Sequence, residues 1–269
     1  MGGVGCGIAT SINIVIGVIV LVLVILKKKE YAPTKIFSKF SLPNSETTKE
    51  ALKLGLPIGF GVFVELSMFS GAALILGSLG SSVISGHTVA INIVSVLFIL
   101  PLSFGLAAAT RIGNLVGEVE FEKAKYASHV AILICFSGAI VNMAVILIFR
   151  ESLVSIYSSD VAIISIAINL LLFGAIFQIP DGMQMGALGS LRGYKDAFAP
   201  MLMIILTYWF IALPLGYYLT YFGILGNPMG PSGIWIGMIT GLTIFASMII
   251  PRLNYIANKF ISRPIRVLL

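Results

Sequence analysis

Residues 161–189 read VAIISIAINLLLFGAIFQIPDGMQMGALG. A helix needs ~20 mainly apolar residues to cross a hydrocarbon core, and this run exceeds that with one charged residue, Asp181, inside it. Working outward, six more runs are similarly apolar: 4–26, 54–76, 83–109, 128–149, 197–222 and the shorter 234–250. The whole chain agrees, being 58% hydrophobic and 10% charged, against about 45–50% and 25% for soluble domains. Hydrocarbon supplies no hydrogen-bond partner for a backbone, so each run is predicted to close its bonds as a helix. The expected fold class is all-α, a polytopic membrane bundle of seven transmembrane helices with connections too short to hold a soluble domain.

The basic residues set the predicted orientation. Sixteen of the seventeen Lys and Arg fall in 27–53, 110–127, 190–196 and the tail from Pro251, and Arg150 alone falls on the other side. Positive residues collect on the cytoplasmic face, which puts the N-terminus outside and the C-terminus in the cytoplasm of a cell (inner) membrane protein. The net charge of +6 therefore reads as topology and attraction to anionic lipid. No nucleic-acid partner is expected, because aromatic residues do not interleave with the basic ones. The segment KKKEYAPTKIFSKFSLPNSETTKE (27–50) is the one long polar stretch. It reads as a basic cytoplasmic linker, either a solvated tether or one whose Ile36, Phe37 and Phe40 dip into headgroups.

Within the spans only two acids remain, Glu65 and Asp181, with no lysine or arginine beside them in the sequence. An unpaired acid at bilayer depth costs about 2.5–3.5 kcal/mol on insertion scales, so it marks function by default. Glu65 lies twelve residues past Lys53 and Asp181 eleven before Arg192. At ~1.5 Å per residue both come near the middle of a ~30 Å core. Spans 54–76 and 161–189 run in opposite directions, so the two carboxyls can converge on one cavity. Burial and a second carboxyl nearby both favour the protonated acid, which describes a proton-exchange site. The same oxygens, joined by amides and carbonyls, suit a hard monovalent cation equally well. Gln184 lies one turn from Asp181 and is placed to donate to it. Met68 and Phe69, on the turn after Glu65, offer a wall for flat lipophilic cations; space filling explains the same spacing.

Other features carry less. Cys6 and Cys135 lie within spans and read as small hydrophobes. GGVGCG (2–7) lacks the Lys-Ser/Thr ending of a phosphate loop and reads as helix packing. The pairs Gly55/Gly59, Gly182/Gly186 and Gly237/Gly241 also read as packing. No myristoylation signal or cleaved signal peptide is expected at the N-terminus. His87 and His129 fall near span ends and read as wet interfacial residues; no metal site is expected. Asp196 reads as the start of the span at 197, and Arg192 as an anchor for the loop on the cytoplasmic side.

Several segments together resemble the multidrug and toxic compound extrusion (MATE) family: GLPIGFGVFVE (55–65) with Phe69, GHTVAIN (86–92), RIGNLVG (111–117), DGMQMGALGSLRGYKD (181–196) and GPSGIWIG (230–237). They run in order across nearly the whole chain, and GGVGCGIAT (2–10) before the basic segment looks like the family's sixth helix. The resemblance implies an antiporter that expels small cationic, lipophilic compounds in exchange for Na+ or H+, with no other cofactor. It assigns 1–26 to the last helix of a first lobe, 27–50 to the linker, 51–250 to a six-helix second lobe and 251–269 to a cytoplasmic tail. Glu65 and Asp181 match the membrane acids of that second lobe. Where the family often has tyrosine four residues before this aspartate, the chain has Phe177, so a cation would lack that hydroxyl.

Family members have twelve helices, and the likeness here covers the sixth to the twelfth. The expectation is that a missing first lobe, or a second copy of the chain, completes the transporter. The alternatives are a fragment that transports nothing and a lipid-linked saccharide flippase of the same broad superfamily. A retinal protein is disfavoured because 234–250 holds no lysine. An intramembrane enzyme with paired aspartates is disfavoured because Asp181 is the one aspartate within a span.

Overall fold

A computed structural model of the protein describes residues 2–28, 44–224 and 226–262, without the side chains of residues 2, 3 and 6. Cys6, residues 29–43 of the linker and residues 263–269 of the tail therefore lie outside the described residues. The elements are α1 (Gly2–Lys27), α2 (Ser45–Gly77), α3 (Ser81–Gly117), α4 (Phe121–Ser155) and α5 (Val161–Gly193). They are followed by α6 (Phe198–Ile204), a π-helical stretch (Ile205–Ala212), α7 (Leu213–Tyr221) and α8 (Pro231–Ser262). Seven helices are long and apolar enough to cross a membrane, with Phe198–Tyr221 counting as one span. The chain is an integral membrane protein.

Helix extends beyond the apolar runs at their basic ends, since α2 begins at Ser45 and α8 reaches Ser262. The run read as one helix over 197–222 is instead interrupted by the π-helical turns. Two compact units divide the chain at residues 49 and 50. In the first, α1 exposes apolar side chains along its length, and Ser11 Oγ donates to the Gly7 carbonyl at 3.0 Å.

The second unit is organised around α5, which packs against α3, α4 and α8. Its glycines explain the close approach. A Cβ on Gly182 would meet Ala139 at 2.6 Å, one on Gly186 would meet the Ile132 backbone at 2.7 Å, and one on Gly189 would collide with the Gly105 backbone. Removing those methyl groups lets backbones touch, which is how helices associate where lipid is as apolar as a side chain. Gly237 and Gly241 likewise admit Ala212 and its neighbours, while Gly55 and Gly59 face open space. The packing reading therefore holds for two of the three glycine pairs; among the described residues nothing packs on the pair on α2.

Several polar groups inside this packing are paired. Asn142 donates to the Leu97 carbonyl at 2.9 Å and to Gln178 Oε1 at 3.2 Å. His87 is 2% exposed and accepts from Trp235 Nε1 at 3.2 Å, so it belongs to the core and is not a wet interfacial residue. The reason lies in α8, which brings an indole donor that no local pattern around His87 announces. His129 is exposed and bonded to Asn254 at 2.8 Å.

Asp196 does not cap the next helix. It accepts from Arg252 Nε at 2.8 Å, and α6 starts after Ala197 without a side-chain cap. Lys195 adopts φ 60° in the same turn, which reverses the chain tightly after α5 and leaves its ammonium on Glu50 of α2 at 2.5 Å.

Candidate functional site

The acids arrive on helices held in different ways. Asp181 sits on α5 one residue after Pro180 and is 3% exposed. Gln184, one turn later, donates from Nε2 to Asp181 Oδ1 at 2.7 Å. Gln184 Oε1 in turn accepts from the Tyr208 hydroxyl at 2.9 Å. A fully buried chain of three polar side chains results: tyrosine, amide, carboxyl. Tyr208 lies in the π-helical stretch, a geometry that recurs at functional positions because it breaks the regular ladder. The sequence reading overlooked it. Its signal was a hydroxyl in mid-span, in TYW (207–209), of the kind Phe177 does not offer.

Glu65 is partly buried on α2 and faces a cleft. The cleft is narrow, with a volume of about 10 Å³, and is lined by Pro57, Gly61, Leu188, Arg192, Pro200 and Ile204, among others. Asp181 lies outside this lining, although it feels the charge of Glu65. The two acids are electrostatic neighbours in separate surroundings. Counting residues treats each helix as a straight rod along the membrane normal, but Pro57 and Pro180 each remove a backbone donor inside them.

Arg192 also departs from its expected place. It shares the cleft with Glu65 and is the cation whose charge Glu65 feels. A guanidinium on a long stem reaches well along the helix surface, a distance that spacing in the sequence does not convey.

The other candidate residues are distributed unevenly. Met68 is fully buried in the core. Phe69 and Phe177 are ring neighbours at 6.2 Å, and Phe177 also meets Trp235 edge-on at 6.2 Å. The structure thus brings Asp181, Gln184 and Tyr208 into one bonded group, sets Glu65 beside it, and packs Met68 and Phe177 into the hydrophobic interior.

A family model described as MatE matches residues 57–218, which include both acids, Gln184 and Tyr208. The chain belongs to the MatE family. Among its MatE relatives, multidrug resistance protein NorM of Vibrio vulnificus (strain YJ016) is 38% identical over 259 residues, covering 96% of this chain and 57% of NorM. Multidrug resistance protein PmpM of Pseudomonas aeruginosa is 37% identical over 261 residues, covering 97% and 55%. The crystal structure of the eukaryotic MATE transporter AtDTX14 superposes with a TM-score of 0.84 at 22% identity, covering 96% of this chain and 58% of that one. The chain spans little more than half the length of these relatives, and the helical fold is shared over nearly all of it.

Proposed function

We propose that this chain forms the second lobe of a multidrug antiporter of the inner membrane, N-terminus outside and C-terminus in the cytoplasm, working with a first lobe or a second copy of itself. Small cationic, lipophilic compounds leave in exchange for Na+ or H+, and Glu65 and Asp181 take up the incoming ion. The observation that carries this reading is an acid facing an open cleft beside a second acid held in a buried hydrogen-bonded chain. A fixed carboxyl that feels the charge of a reachable one makes its own state sensitive to a cation held by the other. Alternating access then follows from rocking of this lobe against its partner. The names of NorM and PmpM support multidrug compounds as the cargo, and with the family match they support transport rather than an enzymatic reaction as the activity.

The test is efflux of a fluorescent lipophilic cation from vesicles containing the full transporter, under imposed Na+ and proton gradients. The double variant Glu65→Gln with Asp181→Asn is expected to abolish gradient-driven efflux while retaining a monodisperse folded protein. Undiminished efflux refutes the assignment. Thermal stabilisation by a lipid-linked saccharide, with none by organic cations, would replace it with the flippase alternative.

A further inference from the structure

The cleft at Glu65 holds two opposite charges that do not meet. Glu65 enters from α2 and Arg192 from the last turn of α5, yet among the described residues no salt bridge joins them and neither side chain makes a hydrogen bond. Arg192 Nε is buried without a partner. A guanidinium serving only to anchor a loop would spend its donors on the carbonyls exposed at the end of its own helix. The cations nearby behave conventionally, with Lys195 of this turn on Glu50 and Arg252 of α8 on Asp196. Arg192 is the exception, and Pro57, Leu188, Pro200 and Ile204 make its surroundings apolar.

We propose that Arg192 is a resident counter-cation for Glu65, competing with a transported cation for that carboxylate and thereby weakening the cleft's hold on singly charged ligands. The proposal rests on the reading of Glu65 as a cation-holding acid. Its physical basis is simple. A like charge several ångströms from a bound cation repels it through a medium less screening than water. When the ligand leaves, the flexible arginine stem offers the carboxylate a replacement and spares it an unpaired state in a poorly solvated cleft. The cleft is therefore poised between two partners for one acid, and discharge of the ligand is easier than a lone glutamate would allow.

Equilibrium dialysis of tetraphenylphosphonium against the purified full transporter, at fixed pH, tests this. Arg192→Gln is expected to bind the probe roughly three- to tenfold tighter, the effect of removing one like charge at that range. Arg192→Lys should return the affinity toward wild type, and Arg192→Met should repeat the gain if the glutamine variant folds poorly. In a Glu65→Gln background the arginine substitution should have no further effect. Unchanged or weaker binding in both neutral variants overturns the proposal, as does a gain that persists without Glu65. If Glu65→Gln alone binds as wild type, the cation-holding role of Glu65 fails as well; if it loses the probe while the arginine variants are silent, only the counter-cation fails.

Discussion

Helices α5 and α2 each carry one membrane acid, and they are built on opposite plans. From Gly182 to Leu191, α5 is buried on nearly every side and touches the backbones of α3 and α4 through its glycines. Helix α2 buries a single stripe, Gly61, Val64, Met68, Ala72 and Leu76, and exposes Leu56, Phe60, Phe63 and Leu66. What holds α2 is largely side chains: Trp209 Nε1 donates to Ser67 Oγ at 2.8 Å, Tyr221 bonds to Ser78 and to the Ile75 carbonyl, and Phe69 leans on Phe177. Backbone-to-backbone packing has one geometry, whereas side-chain contacts can shear past one another. Asp181 is thus set in a closely packed wall, and Glu65 on an element held mainly by side chains.

Substitutions can break this contrast. The largest effect is expected for Gly186→Leu, whose side chain would displace the α4 backbone; overpacking costs about 1–3 kcal/mol and more where backbone must move, so the variant should lose its monodisperse peak on size exclusion. A Cβ on Gly59 of α2 meets nothing within 4 Å, so Gly59→Leu should leave that peak intact. Equal damage from both would dissolve the distinction. Next comes Trp235→Phe, which strips the buried His87 of its donor. An unsatisfied buried polar group costs about 1–3 kcal/mol, to be read as a lowered melting temperature. The matching change beside α2, Trp209→Phe, removes a half-exposed bond to Ser67 and should cost about 0.5–1 kcal/mol.

Tyr208→Phe sharpens the contrast at the site itself. It deletes the hydroxyl that orients Gln184, at about 1 kcal/mol of stability, and should impair efflux by more than its small change in melting temperature explains. The smallest effect belongs to Lys195→Ala. Its partner Glu50 is exposed, its carboxyl held below the usual range by Lys195, and exposed ion pairs seldom contribute measurably. No change in melting temperature is expected.

Much of the framework was legible because it follows from short-range chemistry. Hydrocarbon dictates apolar runs of fixed length, and all seven spans appear as helices. The i,i+3 spacing of Asp181 and Gln184 brings them onto one face, where they bond. Illegible were the contacts made between distant segments: His87 with Trp235, Asp196 with Arg252, and Tyr208 with Gln184. None has a local periodicity, and each depends on which face of one helix meets another. The π-helical turns escaped for a related reason, since ILTYWFIA (205–212) is as apolar as any α-helical segment here.

By itself, then, the sequence determined that this is a membrane helix bundle of MatE type with two acids inside it, because burying charge in lipid is so costly that composition alone records it. The tertiary structure decided what those acids face: one locked by an amide and a phenol, the other opposite an unpaired guanidinium. The separation of roles is physical. Transfer from water to lipid is a property of each residue, summed along the chain, whereas electrostatic partnership falls off within ångströms and is fixed only when helices dock.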